Sequence, residues 1–274
     1  MPRSRLTPLA LLLCLAPLAS EAEEAPKPLR PVAKQPLRPV GPVKREGEVY
    51  PWHLKVTVAI FSIGGEKTAS CWDPAWQEHF GGVDPTDPAE RIADHQAGDF
   101  RPKAFEPKLN PFYVALPCND VAGPALHKPE AAKFIPWFEQ SKPEPGRSVL
   151  KGRWIQIFNG KYSCYAQWED AGPGATDEWD YVFSHKPLLA NADGSVPAGI
   201  SISPAVRDYL KLEARQPCHW RFVGESNVPF GAWRKRGDGA VANDAAAQER
   251  YKEYLQKLRE EAAKKDPGTA APAK

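Results

Sequence analysis

Asp170 is the residue of this chain best placed to do chemistry. It closes the run KYSCYAQWED just ahead of Gly172-Pro173, which must end any strand. By the period of two that governs strands, Asp170 falls on the same face as Tyr162, Cys164, Ala166 and Trp168. A carboxylate at the core-facing end of a strand is a candidate proton donor and acceptor, because apolar burial near Trp168 and Trp179 would raise its pKa. The same position also suits a turn aspartate that bonds its own backbone. Glu169 points to the opposite face of a regular strand. Asp177, Glu178 and Asp180, in the run DEWDYVF, read either as partners returning over the rim or as a solvated acidic loop. Trp179 and Tyr181 offer flat apolar faces to sugar rings, and core packing would use them equally well. Trp168, Asn119, Asp120 and His127 complete the candidate substrate-binding set.

Other chemistries lack their motifs. The six histidines (His53, His79, His95, His127, His185 and His219) show no H-x-x-x-H or similar ligand spacing, so neither a metal nor another cofactor is expected. There is no G-x-S-x-G nucleophile motif. A net charge of +2, with no basic cluster interleaved with stacking aromatics, excludes nucleic acid as the expected partner.

The element that must position Asp170 is a hairpin over Lys151–Pro173. Asn159-Gly160 is the dipeptide of a two-residue type I′ turn, which would set Phe158 opposite Lys161, Ile157 opposite Tyr162, Ile155 opposite Cys164 and Arg153 opposite Ala166. Around it, Lys55–Ile63 and Pro111–Leu116 read as strands, and Cys71–Phe80 as a short helix pairing Trp72 with Trp76. Gly81–Asn110 is crowded with Pro, Asp and Gly, and reads as a long surface excursion. Gly199–Leu212 joins a strand to a helix capped by Ser203 with Pro204 at its first position, and Cys218–Val223 is a last strand.

The ends of the chain belong to export and tethering. Arg3 and Arg5, the apolar run Leu6–Leu18 and the small residues around Ala22 predict a signal peptide over 1–22, removed together with Cys14. The protein is then secreted or periplasmic, with no integral membrane segment. The remaining Cys71, Cys118, Cys164 and Cys218 are expected to form two disulfides in an oxidising compartment. Three pairings are possible; Cys71–Cys164 with Cys118–Cys218 is preferred. Thirty prolines and the repeat Pro-Leu-Arg-Pro-Val make 23–49 an extended linker. The folded domain spans 50–236, and 237–274 holds a linker, an amphipathic helix over Asp244–Lys265 and a disordered tail.

A hairpin strand ending in Asp170-Ala171-Gly172-Pro173, then a loop, then Ile200-Ser201-Ile202-Ser203 ahead of a helix, resembles the double-psi β-barrels of rare lipoprotein A and the expansins. The blocks CWDPAWQ, NPFYVALP and CYAQWED also resemble a group of secreted bacterial proteins of unassigned chemistry. The resemblance implies a mainly β protein, a six-stranded double-psi barrel with short peripheral helices and long loops, over about 52–236. It implies cell-wall polysaccharide, peptidoglycan or a related glycan, as the partner. Asp170 would be the general acid and base of a lytic transglycosylase, and His127 the histidine that faces the catalytic Asp in relatives of rare lipoprotein A. Ser201 stands where related endoglucanases carry an acidic residue, so two-carboxylate hydrolysis is not expected. An expansin-like binding module is the reading preferred over a cleaving enzyme.

Overall fold

The computed structural model describes residues 50–65, 70–213, 216–237 and 240; the expected signal peptide, the Pro-rich linker and the helix over 244–265 lie outside them. In chain order the strands are β1 (His53–Val56), β2 (Val58–Ile60), β3 (Arg91–Asp94), β4 (Asp99–Pro102), β5 (Tyr113–Leu116), β6 (Val121–Gly123), β7 (Leu126–His127), β8 (Arg153–Phe158), β9 (Ser163–Ala171), β10 (Ile200–Ile202) and β11 (Cys218–Phe222). The α-helices are short: α1 (Trp76–Phe80), α2 (Ala131–Phe134), α3 (Trp179–Ser184) and α4 (Pro204–Leu210). Among the described residues no helix is long and apolar enough to cross a membrane.

One sheet of seven strands, in the order β1-β11-β8-β9-β5-β10-β2, dominates the fold. Its two outer strands are consecutive in the chain, separated by Thr57 alone. The segment 53–60 thus pairs antiparallel with β11 through β1 and parallel with β10 through β2, and the sheet curls into a nearly closed barrel. Closure satisfies edges that would otherwise expose unpaired backbone groups. The expected surface excursion contains a small hairpin, β3–β4, and a second hairpin, β6–β7, follows β5. The expected helix over Cys71–Phe80 is confined to α1, so Trp72 lies outside it. Pro204 and the Ser203 hydroxyl, which accepts from Val206 N, start α4 as expected.

The central hairpin forms with a different register. Ile157 lies opposite Cys164, Ile155 opposite Ala166 and Arg153 opposite Trp168, each partner two places further along than a two-residue turn requires. The turn spans four residues because Asn159 uses its side chain instead of a positive φ: Oδ1 accepts from Lys161 N at 3.0 Å and Tyr162 N at 2.8 Å. Only Gly160, at φ 93°, takes the left-handed conformation. A shift of two preserves side-chain faces. Ile155, Ile157, Cys164, Ala166 and Trp168 are all fully buried.

The expected disulfides are not formed; the four cysteines among the described residues are free. The barrel keeps the preferred partners apart. Cys71 is bonded through its backbone to Asp170, six residues along β9 from Cys164, which at about 3.3 Å per residue places it roughly 20 Å away. Cys118 follows the end of β5 that pairs with Ala171, whereas Cys218 starts β11 beside the hairpin turn, at the opposite end of the strands. Burial pushes every one of these thiols up, Cys218 to about 12, so none is an activated nucleophile.

Outside the barrel, a buried charge cluster holds the excursion in place. The Arg91 guanidinium bonds Asp84, donates from Nε to Asp208 Oδ2 at 2.7 Å, and reaches Pro85 O at 3.1 Å. Tyr113 OH donates to Asp84 Oδ2 at 2.8 Å and accepts from Ile63 N at 3.0 Å. Charges this deep are tolerable because they are paired and hydrogen-bonded. The cluster ties β3, α4 and β5 together beside a satellite core of Ile63, Trp76, Phe80 and Tyr113.

His53, in the closing strand β1, makes stability depend on pH. Its ring stacks on Trp220 at 3.7 Å and lies 4.2 Å from His185. Burial, then the neighbouring His185, push its pKa down from 6.5 to about 3. The folded barrel therefore prefers neutral His53. Its contribution is complete above pH 6.5 and is lost as pH falls towards about 3, at about 1.4 kcal/mol per pH unit. Melting temperatures across this window should fall steadily in the wild type and less steeply in His53→Phe; equal slopes would refute the assignment.

Candidate functional site

The strand β9 reaches Asp170 through a bulge. Val114 of β5 pairs with Trp168 and Ala115 with Asp170, leaving Glu169 as the extra residue. A bulge re-aims side chains. Here Trp168 and Asp170 both turn inward, at 0% and 5% exposure, while Glu169 reaches a surface cleft.

Asp170 is enclosed by the segment that leads into α1. Its Oδ1 accepts from Cys71 N at 2.7 Å and from Ala171 N at 2.9 Å, and Trp168 Nε1 donates to its carbonyl at 2.8 Å. Burial raises its pKa, and the two backbone N–H groups pull the other way. The raised pKa that a general acid needs is therefore present. The carboxylate nonetheless lies under a strap of main chain, engaged with backbone donors.

The other candidates are placed in the packing around it. Trp179 is 6% exposed on α3, stacked 5.9 Å from Phe134 and 6.2 Å from Phe183. Tyr181, equally buried, donates to Gly199 O at 3.0 Å and accepts from Trp220 Nε1 at 3.1 Å. Within DEWDYVF, Asp177 and Glu178 precede α3, whereas Asp180 lies in the helix, because Trp179 and Tyr181 are drawn onto the core. Asn119 accepts from Trp72 Nε1 at 2.9 Å, and so pins the strap that covers Asp170. Asp120 is fully buried and accepts from Val149 N at 2.8 Å. His127 lies 3.5 Å from Asp120, its Nε2 2.9 Å from Glu144 O. Its nearest carboxylate is thus that of Asp120 and not of Asp170.

The structure brings together a second set of residues that sequence reasoning missed. Ser70 Oγ accepts from both Trp72 N and Asp73 N at 3.2 Å, turning the strap so that Asp73 projects beside α1. Asp73 Oδ1 accepts from Ala75 N at 3.1 Å, and Oδ2 lies 2.7 Å from His79 Nδ1. Because a carboxylate only accepts, that short contact puts an imidazole proton on Nδ1. Lys151, just ahead of β8, extends its ammonium to 3.9 Å from Asp73 Oδ2 and 3.9 Å from Glu169 Oε2. These groups frame a cleft of about 220 Å³ that Trp76 and Leu109 also line, with Asn110 and Gln167 joined at 2.8 Å on its wall. The outward face of Glu169 was legible from alternation, but its meeting with Asp73 was not, because nothing in the spacing links residue 73 to the hairpin. A larger groove of about 640 Å³, bordered by Trp137, Arg147, Arg153 and Glu225, also has Lys151 in its wall. Among the described residues, no group of three or more His, Cys, Asp or Glu side chains is set to hold a metal.

No family model matches this chain, and neither the curated proteins nor the solved structures contain a match.

The bonding of Asp170 sets the effect of replacing it. Asp170→Ala strands two partly buried N–H donors and should cost about 1–3 kcal/mol in chemical denaturation. Asp170→Asn keeps an acceptor and should cost less. Because burial raises the folded pKa, the cost of the ionised carboxylate is felt above that pKa and relieved as pH falls towards 3.8. Asp170→Asn should consequently gain on the wild type as pH rises. Equal losses for the two variants at all pH values would show that Oδ1 is not the anchor.

Proposed function

We propose that this chain is an exported cell-envelope protein whose barrel binds cell-wall polysaccharide, without strong hydrolytic activity. The observation that carries this reading is the pair of open depressions sharing Lys151, the smaller one lined by charged and amide groups together with Leu109 and Trp76. Sugars ask for that combination: hydrogen-bonding groups around the ring edge and apolar contact beneath it. The basic, apolar and small-residue segments of 1–22 support export to the compartment where such a polymer lies.

A double-psi barrel is the proposed fold. The parallel pairs β2–β10 and β5–β9 flank the antiparallel pair β10–β5, an arrangement with approximate twofold symmetry. If β1 and β2 are counted as one bent strand, six strands enclose the core.

A lytic transglycosylase using Asp170 is the alternative, and the raised pKa of that carboxylate is the observation in its favour. Its enclosure at 5% exposure favours binding. Sedimentation with insoluble peptidoglycan separates the readings. The full chain should co-sediment and release no anhydro-muropeptides detectable by mass spectrometry. Absence of co-sedimentation overturns the wall-binding proposal, and anhydro products that vanish in Asp170→Asn establish the enzyme instead.

A further inference from the structure

We propose that the cleft between Asp73, His79, Lys151 and Glu169 is a subsite for one uncharged, hydroxyl-bearing sugar ring and discriminates against charged rings. The proposal rests on the glycan-binding reading above and adds the chemical class of ligand that this part of the site accepts.

Lys151 fixes the charge pattern of the cleft. Its ammonium stands 3.9 Å from Asp73 Oδ2 and 3.9 Å from Glu169 Oε2. Those are ion-pair distances, longer than the roughly 2.7–3.2 Å of a hydrogen bond. The position between the two carboxylates, where a ligand cation would bind, is thus already filled from within the chain. A ligand carboxylate would meet two like charges. Hydroxyl groups face neither obstacle, because each can accept from the ammonium and donate to a carboxylate. Side-chain exposures of 37% for Lys151, 14% for Asp73 and 16% for Glu169 leave the charged heads reachable but partly shielded, which strengthens such bonds over their value in open water.

Size and shape narrow the ligand further. A volume of about 220 Å³ falls below the roughly 300–1,000 Å³ of pockets for drug-sized ligands, and suits a single ring. Leu109, partly exposed among the lining residues, supplies an apolar contact for that ring beside the buried Trp76. His79 and Asp73 are locked together at 2.7 Å, and the strap carrying Asp73 is anchored on Asp170, so the wall is pre-organised. Because Lys151 also borders the larger groove, a polymer whose ring occupies the cleft has an adjoining path for its neighbouring units.

Titration calorimetry of the full chain at neutral pH tests this with three probes: chitopentaose (uncharged), its fully N-deacetylated counterpart (cationic) and an oligogalacturonate (anionic). Chitopentaose should bind saturably, and the two charged probes about tenfold or more weaker. Lys151→Met and Glu169→Gln, each removing one charge-assisted hydrogen bond, should weaken chitopentaose about tenfold to a hundredfold with melting temperature retained. Charged probes binding as tightly as chitopentaose, or no binding of chitopentaose, would overturn the proposal. So would variants that lower the melting temperature yet keep wild-type affinity, which would make Lys151 a structural strut. Each of these failures leaves the wall-binding reading standing if the wild type still co-sediments with peptidoglycan, so the two ideas fall separately.

Discussion

The structure depends on one closure. Residues 53–60 must hydrogen-bond at both ends of the same sheet, antiparallel to β11 and parallel to β10, with Thr57 alone between the two ladders. That demand explains details that look unrelated. Lys55 takes a positive φ of 53° where β1 turns away from β2. Gly199 donates to Thr57 O at 3.0 Å and has no room for a side chain, since a Cβ there would collide with the Tyr181 hydroxyl and with Val56. His53 is sealed between Trp220 and His185, which is why its protonation and the closure oppose each other.

Closure also decides what happens to the polar chemistry of the chain. Once the barrel shuts, its interior belongs to Trp168, Trp220, Ile155, Ile157 and the buried thiols, and only the outward-facing side chains of the strands and those of the surrounding loops can meet solvent. Glu169 faces the surface by the alternation of β9, and the bulge at β5–β9 leaves it without a partner opposite on β5. Asp170, one residue on, serves the fold by holding the strap at Cys71, and the strap in turn delivers Asp73 to the cleft. The buried carboxylate of Asp170 and the partly shielded one of Asp73 are thus parts of one arrangement, the first supporting the second. The Arg91 cluster plays a comparable part for the excursion, where two carboxylates and a phenol surround one guanidinium.

Much of the fold was legible because it is written in local periodicity. Alternation in RWIQIF and SCYAQWED identifies the hairpin and its buried face, and that assignment survives a register error because the error is an even number of residues. The register itself was not legible, since Asn159 can satisfy a turn either by taking a positive φ or by folding its side-chain oxygen onto the next two amides. Ser203-Pro204 announces α4 by capping chemistry that acts within four residues. DEWDYVF misled for the opposite reason. Its acidic residues look solvated, yet the helix exists because Trp179 and Tyr181 find a core supplied by distant segments.

The candidate site divides along the same line. Sequence by itself determines that Asp170 ends a core-facing strand and that Glu169 faces the other way, because both follow from a period of two along one strand. Whether a buried carboxylate is a catalyst or an anchor depends on what covers it, and the covering strap is separated from it by about a hundred residues of chain. The meeting of Asp73, His79, Lys151 and Glu169 is likewise a matter of how three segments pack, with no local pattern to announce it. Only the tertiary structure decided that the inward residue is bound to main chain and the outward one opens on a cleft. Hydrogen bonds between remote segments and the closure of the sheet are long-range interactions, and these carry no signature in the spacing of residues.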